Sequence, residues 1–164
     1  MKLVVKNGFL ISKDEKYKCS IGYNGLSNNK SEGDGSTPIG TFKINKILFR
    51  PDKINNHRFS LQSEIIEEED GWCDDIRSDL YNQKIRFPFK YSAERLYRND
   101  DLYDIVCIID YNLSPIIKGK GSAIFLHVAS EDYSPTQGCV AIKKEELLEI
   151  TLNLEKNSSI TIDF

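Results

Sequence analysis

A chain of 164 residues, 40% hydrophobic and 29% charged, is long enough to bury a sizeable core and too apolar to be disordered or fibrous. Its formal charge of −3, from 22 basic and 25 acidic residues, leaves no basic excess for a phosphate backbone, so nucleic acid is not an expected partner. The longest aliphatic-or-cysteine run, Ile105 to Ile109, falls far short of the roughly 20 residues of a membrane helix.

Length alone predicts one domain over residues 1–164. The opening MKLVVKNGFLISKDEK has neither the continuous apolar core nor the small-residue cleavage site of a secretion signal. Leu3 to Val5 and Phe9 to Ile11 flank Asn7-Gly8, a two-residue hairpin signal, and Tyr17 to Ile21 reads as a third strand. Residues 22–40 are dominated by Gly, Ser, Asn, Asp and Pro and read as a loop. A bare Gly33-Asp34-Gly35 with no Gly-Lys-Ser/Thr after it is a weak phosphate-loop signal, and Thr37-Pro38 fits a turn into a strand better.

Thr41 to Leu48 reads as a strand with Phe42, Ile44 and Leu48 on one face. Residues 50–100 show no clean period and read as a long excursion with short strands, uncommon unless functional. Its acidic run, Glu67 to Asp70, reads as a solvated surface segment. Leu102 to Asp110, Ser122 to Ala129 and Gly138 to Ile142 read as strands. Glu145 to Leu154 carries a helical period, with Leu147, Ile150, Thr151 and Leu154 on one face and Leu148 and Leu152 widening it. Ser159 to Phe164 alternates like a closing strand. The sum is a mainly β fold with one late helix.

The four cysteines form no C-x-x-C pair, and the default reading is four free thiols, mostly packed as small apolar groups. With only His57 and His127 in the chain, histidine-cluster metal chemistry is not expected. His57, in the polar stretch NNHRF, reads as a surface residue. Cys19 and Cys107 lie in apolar strands and read as core. Cys73, beside Trp72 and two aspartates, is a poor nucleophile because nearby carboxylates oppose thiolate formation.

His127 and Cys139 are different. One sits near the end of a predicted strand and the other at the start of the next, joined by a turn containing Pro135 and Gly138. Adjacent strands would bring imidazole and thiol together, and an imidazole neighbour raises the thiolate fraction of a group whose free pKa is about 8.5. Gly138 would let the backbone N–H groups around Cys139 face an attacked carbonyl. On spacing alone, packing remains the commoner fate of a strand His and of a Cys before Val-Ala-Ile, and both readings stand.

The stretch GSAIFLHVASEDYSPTQGCVAIKKEEL resembles the signature of the L,D-transpeptidase catalytic domain family (YkuD-type), in which a strand His is followed, after a loop, by a Ser/Thr-x-Gly-Cys turn. EGDGSTPIGTF, DGWCDD, SAERLYRNDDLYD and GSAIFLH further resemble a branch of short proteins in that family. The likeness runs in the family's order from about residue 20 to residue 152. It implies a β-sandwich with one helix after the catalytic strand and short irregular segments in the middle.

The resemblance also implies an acyltransferase acting on peptidoglycan stem peptides. Cys139 would form a thioester with release of D-alanine, and an amine would resolve it. Water as the acceptor would make it an L,D-carboxypeptidase, and a silent wall-peptide binder is the rival outside enzymes. By the same likeness His127 is the base, the carbonyl of Val128 orients its ring, and Gly138 and Cys139 supply oxyanion donors. No metal or organic cofactor is implied. Gln137 replaces a commoner His, and Val140 and Ala141 stand where Arg or Asn is usual. Arg95 and Arg98 are therefore the candidates to meet substrate carboxylates, beside the reading of them as ordinary ion pairs. Thr136 and Gln137 are further candidate substrate contacts. The expected working form is a monomer in the cell envelope, although the start of the chain shows no leader.

Overall fold

Asn7 and Gly8 take φ of 52° and 76°. Two left-handed residues in succession make the tight turn whose twist matches that of the flanking strands. They join β1 (Lys2–Lys6) to β2 (Phe9–Ser12), and a second hairpin leads to β3 (Glu15–Ser20). These elements belong to a computed structural model that describes residues 1–55 and 58–164; the expectation for His57 lies outside the described residues.

The loop after β3 holds a two-residue ladder, β4 (Leu26–Ser27) with β5 (Thr37–Pro38), before the long β6 (Gly40–Phe49). The middle contains β7 (Ser63–Ile65), β8 (Asp70–Cys73), β9 (Lys84–Arg86) and β10 (Ala93–Arg95). Next come β11 (Ile105–Ile109), β12 (Phe125–Val128) and β13 (Val140–Ile142). Helix α1 (Lys144–Leu152) and β14 (Ser159–Ile162) complete the order.

Two sheets share strands at their corners. The first runs β3-β2-β1-β14 and ends on the N-terminal half of β6. The second runs from the C-terminal half of β6 through β11, β12 and β13, and returns to the end of β3. Strand β6 changes partner where the ladder slips: Ile108 faces Lys46, but Ile109 faces Ile44. Asn45 is the extra residue of a bulge, which bends the strand and resets its alternation. The single face expected for Phe42, Ile44 and Leu48 is therefore corrected. Ile44 and Ile47 point between the sheets, while Leu48 turns to the opposite side.

Between the sheets lie Leu3, Val5, Leu10, Ile160 and Ile162 from one and Ile105, Cys107, Leu126, Val128, Val140 and Ile142 from the other. Leu147 and Ile150 of α1, and Leu154 just after it, join them. Leu152, expected to widen that face, is 45% exposed instead, because it falls opposite Ile150 on the helix. Cys19 and Cys107 pack in this core, and all four cysteines are free thiols.

The period-2 alternation of β11–β13 leaves Val106, Ile108, Phe125, His127, Cys139 and Ala141 on the outer face. The excursion covers that face. Its three-stranded sheet, β10-β8-β9, carries Trp72, and Ile66, Leu96 and Tyr103 pack around it. The Phe125 ring meets Trp72 edge-on at 5.1 Å and Tyr103 at 6.1 Å. The acidic run is solvated at Glu67 to Glu69 only. Asp70 is buried and accepts from the Glu67 N–H at 2.9 Å, with the Lys84 ammonium at 2.8 Å, a correction to a wholly surface segment. Among the described residues no helix is long and apolar enough to cross a membrane.

Candidate active site

The strands β12 and β13 run parallel, with His127 opposite Ala141 and Leu126 opposite Val140. Cys139, two residues before Ala141, thus emerges on the same side as His127. Both border a cavity of about 500 Å³ between this sheet face, the excursion and the loop of residues 22–40.

The turn before Cys139 is held from within. Thr136 Oγ1 accepts the Gly138 N–H at 3.1 Å and donates to the Cys139 carbonyl at 2.7 Å. Gly138 has φ of 141°, and a Cβ there would lie 2.9 Å from the Ser36 carbonyl oxygen. Only glycine lets the chain pass so close at that angle. Residues 22–40 grip the same turn through the Tyr23 N–H, which donates to the Thr136 carbonyl at 2.9 Å.

Cys139 is 8% exposed. Its Sγ–H donates to the Ala123 carbonyl at 3.1 Å, and Sγ accepts from the Phe125 N–H at 3.3 Å. Burial, reinforced by the Glu94 carboxylate, pushes the thiol up to about 12, against the pull of the Phe125 N–H and the Lys30 ammonium. The resting group is a neutral thiol.

His127 lies 2.8 Å through Nδ1 from the Val128 carbonyl. A carbonyl only accepts, so Nδ1 carries the proton and Nε2 of the neutral ring has a lone pair. Burial lowers the imidazole to about 4; the Val128 carbonyl opposes that and the Arg98 guanidinium adds to it. Tyr103 stands edge-on to the ring at 5.2 Å. Among the described residues no hydrogen bond joins His127 to Cys139: the two share a face and a cavity, and each is neutral.

The sequence-derived candidates separate here. Arg98, Thr136 and Gln137 border the cavity with the His and the Cys. Arg98 spends its fork on Asp100, at 2.8 and 2.6 Å, and sits 5.2 Å from the Tyr103 ring. Arg95 does not border the cavity; its guanidinium lies 4.3 Å over the Phe87 ring. The Gly138 N–H already has Thr136 as its acceptor.

Sequence reasoning passed over four other side chains. Glu94 borders the cavity, is raised by burial, and accepts from the Tyr103 hydroxyl at 2.5 Å. Lys30 also borders it, its side chain 4% exposed. Asn82 is buried behind the site, and its Oδ1 accepts from Trp72 Nε1 at 2.9 Å and the Ala123 N–H at 3.0 Å. It thereby holds Ala123, the residue whose carbonyl accepts the hydrogen bond of the Cys139 thiol. Tyr81 accepts the Gly121 N–H at 3.0 Å and donates to Glu32, tying the excursion to the 22–40 loop. The local signals were EGDG and DGWCDD, near Lys30 and Asn82, and SAERLYRNDDLYD, which contains Glu94; none of them names a role. Among the described residues no three His, Cys, Asp or Glu side chains converge as a metal site.

A family model, the L,D-transpeptidase catalytic domain (YkuD), matches residues 2–162. Comparison with curated proteins finds no match.

Proposed function

The chain belongs to the L,D-transpeptidase catalytic domain family, and from that premise we propose that it is a cysteine acyltransferase acting on peptidoglycan stem peptides through a thioester on Cys139. The family is peptidoglycan-modifying and usually associated with the cell envelope. The observation that supports the finer reading is the placing, on the same sheet face and at one cavity, of one thiol and one imidazole whose Nδ1 lies against the Val128 carbonyl.

The donor carbonyl between the third and fourth residues of a tetrapeptide stem enters the cavity above Cys139. The thiol turns from the Ala123 carbonyl toward His127. With the thiol near 12 and the imidazole near 4, proton transfer accompanies attack instead of preceding it. The C–S bond forms as Nε2 takes the proton, and the carbonyl π pair moves onto oxygen. Collapse expels the D-alanine nitrogen, which takes the proton back from the imidazolium, and leaves the thioester. A side-chain amine of a second stem attacks the thioester carbonyl by the same route and restores the thiol. Thr136, Gln137 and Arg98, which border the cavity, would contact the bound peptide. Arg98 would share its charge between Asp100 and a substrate carboxylate. Arg95, placed on Phe87, keeps at most a peripheral part. The reading treats residues 1–164 as one catalytic domain working as a monomer.

Intact-protein mass spectrometry with tetrapeptide-stem muropeptides tests this. The expected result is an adduct of the tripeptide-stem acyl group on the wild type, none on Cys139→Ala, and transfer on adding an amine acceptor. Full activity in Cys139→Ala, or neither adduct nor D-alanine release from the wild type over hours, would sink the proposal. Release of D-alanine without transfer would convert it to a carboxypeptidase.

A further inference from the structure

We propose that the Lys30 ammonium is a catalytic donor of this site, hydrogen-bonding the oxyanion formed during attack and offsetting the charge of the Cys139 thiolate. This rests on Cys139 being the nucleophile.

Three observations lead to it. First, the Gly138 N–H is directed at Thr136 Oγ1, and that hydroxyl is itself bound to the Cys139 carbonyl. With the Gly138 N–H engaged, the turn offers a developing oxyanion the Cys139 N–H alone, and a second donor has to come from elsewhere. Second, Lys30 is buried although lysine is almost never buried without a reason. Its stem lies along Gly121, where a Cβ would come within 2.8 Å of Cε. Third, Nζ reaches the turn: it lies 3.3 Å from the point a Gly138 Cβ would occupy and borders the cavity shared by Cys139 and His127.

Asp34 holds the ammonium there. Its Oδ1 pairs with Nζ at 2.7 Å, while the Ser31 and Ser36 N–H groups fix the carboxylate at 2.8 and 2.9 Å. An ammonium has three protons, and this pair uses one. A preorganised cationic donor in a closed site is worth far more than one in water. In the acylation step the attacked carbonyl oxygen gains the π pair and accepts from Nζ. Lys30 transfers no proton, and the thiol proton still travels through His127 to the leaving nitrogen.

The rival is that Lys30 and Asp34 only pin the 22–40 loop. Two readouts on the full chain separate them: the pH profile of Cys139 alkylation by iodoacetamide, read by peptide mapping, and single-turnover acylation by tetrapeptide muropeptide. Lys30→Met is expected to move the alkylation midpoint upward and slow acylation by about 100- to 1,000-fold, the loss typical of an oxyanion donor. Lys30→Arg should recover part of both. Asp34→Asn, which removes the anchor but keeps the cation, should leave the midpoint where it is or lower it.

An unmoved midpoint with acylation within threefold of wild type in Lys30→Met overturns the proposal. So does an Asp34→Asn variant that matches Lys30→Met in both readouts. Where Lys30→Met does not fold, Lys30→Arg decides: partial activity supports the cation, and complete loss in a folded protein overturns it. A midpoint that follows Lys30 in a protein that never acylates would refute the transpeptidase reading while leaving the electrostatic pairing intact. Normal acylation indifferent to Lys30 would do the reverse.

Discussion

Lowering the pH from 7 to 4 should destabilise this protein in a step that belongs to His127. The ring is buried and held neutral, with its pKa at about 4 against an ordinary 6.5. Between those values the unfolded chain binds a proton that the folded chain refuses. The stability present above pH 6.5 is therefore lost as the pH falls toward and through 4. A gap of 2.5, from 6.5 minus 4, amounts to about 3 kcal/mol at roughly 1.36 kcal/mol per pH unit. For a chain of this length that corresponds to a fall in Tm of about 6–12 °C.

Carboxyl groups contribute at the acid end of this range and below it. Asp75 is held below the usual carboxylate range by Arg77, Asp132 is lowered to about 2 by Ser134 and Ser130, and burial raises Glu94. They are common to wild type and His127→Gln, so the difference between the two pH–stability curves isolates the imidazole. Calorimetric melts of both proteins from pH 7 to pH 4 should show the variant losing about 3 kcal/mol less than the wild type. Parallel curves would refute the reasoning that desolvation dominates this histidine.

Gly138→Ala should cost about 1–3 kcal/mol in denaturant melts, because its Cβ meets the Ser36 carbonyl at a φ of 141°. Moving the turn by up to an ångström should also slow acylation about 100-fold; an unchanged melt would mean the turn yields freely. Asn82→Ala strands the Trp72 Nε1–H and the Ala123 N–H and should destabilise by about 2–4 kcal/mol, read in the same melts. Phe125→Ala empties the space between Trp72 and Tyr103 and should cost about 3–5 kcal/mol, the loss appearing in urea midpoints with the slope unchanged.

What was legible in the sequence was what local chemistry writes. Asn7-Gly8 announced its hairpin because two positive φ angles demand such residues. The β-branched runs of β11–β13 announced a buried sheet, and the ordered motifs singled out His127 and Cys139. The bulge at Asn45 was not legible, since Ile44, Ile47 and Leu48 carry no local mark of the slip that turns them to different sides. Lys30 and Asn82 were missed for a related reason. Both sit in irregular polar stretches, and the site residues they approach, Gly138 and Ala123, are far away in the chain. Asp70 hid inside an acidic run, where composition predicts solvent and only the Lys84 contact explains burial. Arg95 and Arg98 are three residues apart and looked equivalent; one lies over Phe87 and the other reaches the cavity.

Phe49 and Ile105 face each other across β6 and β11. The whole stretch from residue 50 to residue 104 therefore departs from the ladder and rejoins it at neighbouring rungs. Such a stretch behaves as an interchangeable part. Ends already in register can be bridged by a few turn residues, and lengthening the bridge adds chain entropy only slowly. Its replacement would have to shield Val106, Ile108 and Phe125 and supply the acceptor that Asn82 gives the Ala123 N–H. The groups proposed to perform the chemistry, Cys139 and His127, lie outside it on the scaffold strands and their turn. A rewritten roof that kept the contacts of Asn82 and Tyr103 would change what the cavity admits, so that selectivity can vary on one length of chain while the frame is carried by another.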